Sequence, residues 1–399
     1  MIKRLVFILT LMTNLIFANE IRIDGLIESY HSFRIDEEGE IIGQRNRARV
    51  NFRKKDDNLY ALVSLRARQN PIIGQGGTRV ELYESYLEYF TTNWDLKIGR
   101  QIFSWGKADG IRITDALSPV DYQEFLTRDF DEIRMPVTAF KFHYLFVMSD
   151  LEIVWIPQFS PALLPLSPEN PWFMDQKENT ALPVAHPLEP TLSLKNSEAA
   201  LKYSMFLNGI DFSLSTAYLW DDFPVMTLSE NEIVPRYKRL WINGACLSKP
   251  VGQFVIRLEG AFIDGRYFQT KTGQRSSEKQ SAKYLMGLDW YSGNKLTIST
   301  QLANEQFIFD YEEGLIDNQN NYLATLNIRK KMFREKLKLE NRFYFGFSEQ
   351  DVFARINIDY AITDNLHMAC GIDYFSGNKG FFGNYDQNDS FWLKARYNF

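Results

Sequence analysis

The chain has 399 residues, of which 45% are hydrophobic, 15% aromatic and 24% charged, and its formal net charge is −5 at pH 7. This mild acidity argues against nucleic-acid binding, which requires a basic surface, and two cysteines are too few for a disulfide-rich secreted scaffold. After residue 18 no run reaches the roughly 18 to 20 apolar residues of a membrane-spanning helix, which excludes a helical carrier.

The first residues have the pattern of a secretory signal. Lys3 and Arg4 precede an apolar stretch over 5–17, and the small residue Ala18 follows it. A charged start, a short apolar core and a small residue at the cleavage side are typical of such signals. We therefore expect a signal peptide over 1–18 and an exported domain over 19–399.

From Glu20 onward the hydrophobic period is two, which predicts β-strands. The strands are separated alternately by long connections and by tight turns, and we place the turns at 55–58, 91–93, 149–150, 208–209, 250–253, 292–295, 334–336 and 363–365. Eight such turns between nine hairpins predict eighteen strands of about 10 residues, the length that crosses a bilayer when tilted. Sixteen strands remain an alternative if the segments around Leu151 and Leu366 are misread.

The two faces of the strands favour a transmembrane barrel over a soluble β-sandwich. In the last strand, apolar residues alternate with polar or amphipathic ones, namely Phe391, Leu393, Ala395, Tyr397 and Phe399 against Trp392, Lys394, Arg396 and Asn398. Inward charges are costly in a packed core but tolerated in a water-filled lumen. The sequence thus predicts an all-β, antiparallel transmembrane barrel with short periplasmic turns and long extracellular loops.

Basic residues recur on the predicted inner face. They form a candidate pore-lining wall that comprises Arg45, Arg47, Arg49, Arg53, Arg66, Arg68, Arg342, Arg355, Lys394 and Arg396. Lumen-facing charges tune the selectivity of an open pore. In the alternative interpretation, these side chains only neutralise inward acids such as Glu84 and Glu88 and fill space.

Two long connections are candidates for shaping the pore. The segment 104–136 is longer than a surface connection needs, so we expect it to fold inward as a constriction loop. Its acids would then face the basic wall across a narrow gap; they are Asp109, Asp115, Asp121, Glu124, Asp129, Asp131 and Glu132. The segment 159–196 contains seven prolines and is expected to be a stiff extracellular loop, which either covers the mouth or forms a surface cap.

The remaining reactive residues do not predict chemistry. The chain has four histidines, and only His143 is expected to face the lumen, as a wall residue. No Ser-His or His-Asp spacing suggests catalysis, and no Cys/His cluster suggests a metal site. We expect no catalytic residues, no metal and no cofactor, with Cys246 and Cys370 as free thiols on the lipid-facing side.

Several short motifs resemble a family of porin-like bacterial outer-membrane barrels of mostly unassigned function. They are Gly99-Arg100-Gln101, Trp105-Gly106, Ser118-Pro119-Val120-Asp121, Arg134-Met135-Pro136, Trp155-Ile156-Pro157 and Pro171-Trp172. The C-terminal Phe399 also resembles the signal read by the barrel-assembly machinery. The resemblance implies a passive channel, or the outer-membrane partner of a transport system for hydrophobic compounds that includes an inner-membrane transporter.

Taken with the residues themselves, these features predict a porin-like channel for small solutes in the bacterial outer membrane, with a charged lumen and no enzymatic activity. Two alternatives remain. One is the outer-membrane component of a multi-protein system for hydrophobic compounds. The other is a plugged barrel with a structural or adhesive role, which differs from a channel in having no open lumen.

Overall fold

In the computed structural model, residues 21–35, 39–173, 185–229, 232–269, 276–308 and 318–399 are described. The predicted signal peptide over 1–18 and part of the proline-rich segment lie outside the described residues. Within the described part of the chain, no helix is long and apolar enough to cross a membrane.

The described part of the chain contains twenty strands. The first nine are β1 (Arg22–Arg34), β2 (Ile41–Lys55), β3 (Leu59–Asn70), β4 (Gln75–Phe90), β5 (Trp94–Gln101), β6 (Val137–Leu145), β7 (Ser149–Ile156), β8 (Glu198–Leu207) and β9 (Ile210–Trp220). A short hairpin follows, made of β10 (Val225–Ser229) and β11 (Glu232–Arg236). The last nine are β12 (Arg239–Val251), β13 (Phe254–Gln269), β14 (Ser276–Ser292), β15 (Leu296–Phe307), β16 (Asn320–Met332), β17 (Leu337–Gly346), β18 (Asp351–Ala361), β19 (Leu366–Ser376) and β20 (Ser390–Asn398).

Eighteen of these strands form one closed antiparallel sheet. Each pairs with its neighbours along the chain, β9 pairs with β12, and β1 pairs with both β2 and β20, which closes the barrel. The predicted fold class and the count of eighteen strands are confirmed. The turn expected at 149–150 lies slightly earlier, at 146–148, because Leu145 already pairs with Asp150.

Helical structure in the described part is limited to single turns in the connections. They are α1 (Phe130–Ile133), α2 (Gly380–Gly383) and three 3₁₀ turns at Pro71–Ile73, Leu194–Asn196 and Asp386–Asn388. All of them lie on connections that leave the barrel strands at the long-loop end. Nearly all regular structure therefore belongs to the barrel wall.

The alternation along each strand sorts side chains between two environments. In β20, Phe391, Leu393 and Tyr397 are 41 to 45% exposed on the outer face, whereas Trp392 on the inner face is 2% exposed. In a closed barrel, the backbone hydrogen bonds of every strand are made to neighbouring strands on both sides. An apolar outer face can therefore contact lipid without an open sheet edge. The inward side chains are therefore enclosed by the wall and separated from lipid.

Candidate functional site

The long connection between β5 and β6, residues 102–136, lies inside the barrel; we call it the lumen loop. Its first part packs against an apolar area of the wall. The buried cluster joins Phe103, Trp105, Ile113 and Leu117 of the loop to inward residues of eight wall strands, namely Val137, Ala139, Val154, Ile156, Ala200, Ala217, Leu219, Leu240, Ile242, Ala261, Ile263, Leu285 and Ala303. Burial of apolar surface therefore fixes this part of the loop against β6–β9 and β12–β15.

The middle of the lumen loop is hydrogen-bonded to one carboxylate of the wall. Glu259 of β13 accepts hydrogen bonds from the backbone N–H groups of Lys107 (2.8 Å), Ala108 (2.9 Å) and Thr114 (2.8 Å), and from the Thr114 hydroxyl (2.7 Å). Glu259 is 4% exposed. Hydrogen bonds to a buried carboxylate are among the strong ones, so this residue is a principal attachment point.

Further contacts tie the loop to β13 and β15. Gln301 accepts a hydrogen bond from the Asp109 backbone N–H (2.9 Å) and donates one to its carbonyl (2.7 Å). Arg257 donates to the Lys107 carbonyl (2.5 Å). A Cβ atom on Gly244 of β12 would lie 2.6 Å from the Thr114 side chain, so glycine at this position permits the close approach of the loop.

The second part of the lumen loop contacts the opposite, basic side of the wall. Glu132 accepts hydrogen bonds from Arg47 (2.5 Å) and Arg396 (2.8 Å), and Glu124 forms a short ion pair with Arg45. The loop thus spans the lumen, with apolar packing and Glu259 on one side and ion pairs on the other.

Asp121 and Asp129 extend the ionic side of the loop. Asp121 pairs with Arg68 (3.2 Å) and with Arg128 of the loop itself (3.1 Å). Asp129 lies 3.6 Å from Arg342 and 3.8 Å from Lys394. The gap expected between the acids and the basic wall is therefore wrong at these positions, because the loop carboxylates contact the basic side chains directly.

The other members of the predicted basic wall have partners on the wall. Arg53 pairs with Asp24 (2.6 Å), Arg66 with Glu81 (2.7 Å), and Arg355 with Asp373 (2.6 Å). Arg49 is in none of the ion pairs among the described residues; it lies over the Tyr83 ring at 5.8 Å. Most of the positive charge on this wall is therefore compensated locally.

The remaining loop acids do not face the wall as expected. Asp115 pairs with Arg134 (2.8 Å), and so does Asp131 (2.5 Å), whose side chain is 91% exposed. Among the described residues, the Asp109 carboxylate is hydrogen-bonded only to Asn327, at 3.4 Å. These three acids stabilise the loop or contact a neutral amide, and the structure does not bring them to the basic wall.

Burial and the basic wall act in opposite directions on the loop acids. Burial alone would raise the pKa of Asp121, but the attraction of Arg128 and Arg68 outweighs it and the pKa lies below its ordinary value. The pKa of Glu132 is lowered in the same way, against its burial, by Arg47 and Arg396. Both groups are therefore ionised at neutral pH and keep their ion pairs.

An amphipathic cavity of about 410 Å³ lies on the long-loop side of the lumen loop; we call it the vestibule. Its lining includes the loop side chains Ile111, Tyr122 and Phe130, together with Leu240 of β12 and Phe382 of α2. Its charged residues are Arg112, Asp115, Asp221, Asp222, Arg266, Lys283 and Glu305. Pockets for organic molecules commonly combine an apolar lining with polar groups that orient the ligand.

The charged groups of the vestibule are paired. Arg266 lies 3.0 Å from Glu305, and Lys283 lies 3.1 Å from the same carboxylate. Asp222 is 3.8 Å from Arg112. Burial raises the pKa of Asp222 well above its ordinary value, and Arg112 offsets this only in part.

The proline-rich segment contributes to the contacts of the lumen loop. Trp172 is 1% exposed and stacks on Phe125 of the loop at 5.8 Å, within a cluster that includes Phe375 and Tyr385. The Leu163 N–H also donates to the Val120 carbonyl at 2.9 Å. Residues 163–172 of this segment therefore pack over the loop, whereas Ala185 and Leu188 are hydrogen-bonded to β11. Pro183 lies outside the described residues.

The predicted thiols and the lumen histidine have different outcomes. Both cysteines are free, and Cys370 has the outward register. Cys246, expected on the lipid side, instead faces the lumen, where its Sγ lies 3.4 Å from Thr114 Oγ1. His143 faces the lumen, with its two ring nitrogens 2.8 Å from Asp95 and 3.1 Å from Asp150. No cluster of candidate metal ligands occurs among the described residues.

Sequence reasoning missed the groups that hold the middle of the loop, Glu259, Gln301 and Arg257. One signal was available for Glu259. Its cross-strand neighbours are Cys246 and Leu285, neither of which can neutralise a carboxylate. An inward acid between two such neighbours requires a partner from outside the wall.

Comparison with known proteins gives a partial family match and a clear fold. A family model described as "Protein of unknown function (DUF1302)" matches residues 30–153, which run from β1 into β7 and include the lumen loop. No curated protein sequence matches the chain.

Three solved structures cover almost the whole chain at low identity. Pseudomonas aeruginosa OccK8 (OprE) has a TM-score of 0.59 and 9% identity, and 96% of this chain and 99% of that chain are covered. Acinetobacter baumannii OccAB4 gives the same four values. For Acinetobacter baumannii OccAB3 the TM-score is 0.56, the identity 10% and the coverage 96% and 100%. The chain therefore has the fold of outer-membrane porins, which, with its apolar outer face, supports a location in the bacterial outer membrane.

Proposed function

We propose that this protein is a porin-like channel of the bacterial outer membrane, through which small solutes diffuse past a fixed lumen loop. The single observation that supports this most is the attachment of the loop to both sides of the barrel, by Glu259 on one side and by Glu132 on the other. A loop held in this way narrows the lumen without depending on a moving part. The channel has no chemistry of its own and needs no cofactor or metal.

Ion selectivity in this proposal depends on the charges that remain uncompensated. Lumen charges set ion preference where the pore is narrow. Arg47, Arg68 and Arg396 are paired with acids of the loop or the wall, whereas Arg49 is in none of the ion pairs among the described residues. Arg49 is therefore the arginine of the wall that we expect to influence permeating ions most.

The test is the reversal potential of single channels in a planar bilayer under a salt gradient, for the wild type and for Arg49→Glu. Steady conductance, together with a reversal potential of Arg49→Glu that is shifted towards cation selectivity, supports a channel lined by Arg49. Arg53→Glu is a control near the short-turn rim, where Asp24 compensates the native charge. Absence of conductance in the wild type would contradict the proposal and favour a plugged structural or adhesive barrel.

A second candidate is transport of hydrophobic compounds, as the outer-membrane component of a multi-protein system. The observation that favours it is the vestibule with its apolar lining, which a channel for inorganic ions does not need. Such a system would include an inner-membrane transporter. Flux of an apolar fluorescent dye into liposomes containing the protein tests this candidate, and dye entry no faster than in protein-free liposomes would contradict it.

Assembly in the outer membrane requires recognition of the barrel by the assembly machinery. We propose that the last strand, which ends at Phe399, provides this signal. Phe399 is joined to the first strand by reciprocal backbone hydrogen bonds with Gly25, at 2.9 and 3.1 Å. Removal of Phe399 is expected to lower the amount of folded barrel in the outer membrane, measured by its heat-modifiable mobility in gels.

A further inference from the structure

A second, smaller cavity lies behind the lumen loop, between loop residues 127–132 and the basic wall; we call it the rear cavity. It is small, about 10 Å³, and has room for a single small species. Four cations line it, Arg45, Arg128, Arg355 and Lys394, against two carboxylates, Asp129 and Glu132. The cavity therefore has an excess of positive groups on its surface.

Acids outside the lining pair with three of these cations, Arg45 with Glu124, Arg128 with Asp121 and Arg355 with Asp373. The two lining carboxylates do not satisfy the fourth, Lys394. Glu132 is hydrogen-bonded to Arg47 and Arg396, which lie outside the lining. Asp129 lies 3.8 Å from Lys394, which is beyond hydrogen-bond distance. The Lys394 ammonium therefore has an attractive neighbour but no hydrogen-bond acceptor among the described residues.

The arginines also retain unused donors. The Nε atoms of Arg45 and Arg128 are buried without a hydrogen-bond partner among the described residues. Both arginines are more than nine-tenths buried, at 6% and 7% exposure. Unsatisfied charged donors are costly inside a protein, and a bound species that accepts hydrogen bonds removes this cost.

The charge of the surrounding network supports an anion rather than water alone. The ion pairs around the cavity join nine basic residues, which are Arg45, Arg47, Arg66, Arg68, Arg128, Arg342, Arg355, Lys394 and Arg396. They join eight acids, which are Glu28, Glu81, Asp121, Glu124, Asp129, Glu132, Glu340 and Asp373. Nine against eight leaves one positive charge, which a single monovalent anion balances.

We propose that the rear cavity binds a single small monovalent anion, with chloride as the physiological ligand. Lys394 and the free Nε–H groups of Arg45 and Arg128 supply its hydrogen bonds and its charge compensation. The size of the cavity excludes phosphate or a carboxylate solute. Because loop residues 127–132 form one side of the cavity, the anion also joins the lumen loop to β2 and β20.

The direct test is anomalous diffraction from crystals of the full chain grown in sodium bromide. The expected result is a bromide peak in the rear cavity within hydrogen-bond distance of Lys394 Nζ. A cavity that contains only water in bromide crystals would overturn the proposal. This experiment requires no variant and does not depend on whether the barrel conducts.

A solution test uses the Tm in sodium chloride and in sodium gluconate at equal ionic strength, because a ligand that binds the folded state raises the Tm. The Tm of the wild type is expected to be higher in chloride, and Lys394→Met should abolish the difference. Lys97→Met is the matched control, since Lys97 is an inward lysine paired with Glu88 at 3.2 Å. Equal Tm values of the wild type in the two salts, or an unchanged difference in Lys394→Met, would contradict the proposal.

Discussion

Arg396 on the last strand donates a hydrogen bond to Glu132 on the lumen loop, with 2.8 Å between Nη2 and Oε1. Arg47 of β2 donates to the same oxygen at 2.5 Å. β20 and β2 are the two neighbours of β1, so Glu132 is bound on both sides of the strand at which the barrel closes. The final position of the lumen loop therefore depends on closure of the barrel.

Replacement of Glu132 by alanine is expected to destabilise the protein. Two arginines lose a carboxylate partner in a largely buried place, and breaking such a pair costs on the order of 3 kcal/mol. The free energy of unfolding, measured in urea for the protein in lipid or detergent, should fall by about this amount. Trypsin should also cleave after Arg128 and Arg134 faster than in the wild type.

Glu335→Ala is the matched control for that variant. Glu335 pairs with Lys295 and Lys331 on an exposed turn, and its side chain is 48% exposed. Exposed pairs contribute little to stability because solvent screens them. An equal loss of stability in both variants would show that Glu132 does not hold the loop.

Removal of the Glu259 carboxylate should release the middle of the lumen loop. In Glu259→Ala, the N–H groups of Lys107, Ala108 and Thr114 lose their acceptor, and each unsatisfied buried donor costs about 1 to 3 kcal/mol. Cys246 is 5% exposed beneath Thr114. Its labelling by a water-soluble maleimide should therefore be slow in the wild type and faster in the variant.

The control for this experiment is Glu88→Gln, because Glu88 is an inward carboxylate that pairs with Lys97 and not with the loop. Labelling is carried out in a Cys370→Ser background so that Cys246 alone reports. Equal labelling rates of Cys246 in Glu259→Ala and in Glu88→Gln would argue against Glu259 as the attachment point.

Gly106→Ala is expected to disrupt the loop by contact as well as by backbone strain. Gly106 has φ of 96°, and a Cβ there would lie 2.5 Å from Glu259 Oε1. Strain and overpacking together should lower the free energy of unfolding by on the order of 3 kcal/mol. Gly252→Ala separates the two effects, since Gly252 has φ of 61° with nothing within 4 Å and should lose only about 1 kcal/mol. Similar losses of unfolding free energy in the two variants would contradict a close contact between the added Cβ and Glu259.

The architecture could be predicted from the sequence because it depends on local signals. Tight turns such as Asn208-Gly209 and the period of two in β20 are properties of neighbouring residues, and together they predict the eighteen strands. The inward fold of segment 104–136 was also predictable, since its apolar residues are too many for a surface connection.

The orientation of Cys246 could not be predicted in this way. In β12, Leu240, Ile242 and Cys246 face inward, although apolar residues in a barrel normally mark the lipid side. The first part of the lumen loop covers them and removes them from water. The polarity of a side chain indicates whether its side of the wall is shielded from water. Here a segment more than a hundred residues away in the chain shields the lumen side of β12.

The ion pairs of the lumen loop should make stability depend on pH only in strongly acidic solution. The pKa values of Asp121 and Glu132 lie below their ordinary values. Their contribution is therefore fully present above an ordinary carboxyl pKa of about 4 and is lost as the pH falls through the lowered values. The Tm of Asp121→Asn should fall less than that of the wild type between pH 4 and pH 2. An equal fall of Tm in the two proteins between pH 4 and pH 2 would contradict a contribution of these ion pairs.

Asp222 should have the opposite effect on how stability depends on pH. Because burial raises its pKa, the folded protein binds a proton more tightly than the unfolded chain does. Asp222 therefore disfavours the folded state increasingly as the pH rises from about 4 through the raised value. Asp222→Asn should raise the Tm more at pH 8 than at pH 4. A gain that is independent of pH would show that this carboxyl is not perturbed in the folded protein.

The most direct test of the lumen loop as the constriction is the unitary conductance in a planar bilayer of the wild type and of a variant in which a short Gly-Ser linker replaces residues 106–132. The linker removes both attachments while leaving all eighteen barrel strands in place. We predict that both proteins conduct and that the variant has the larger unitary conductance. The same conductance in the two proteins would contradict control of passage by this loop.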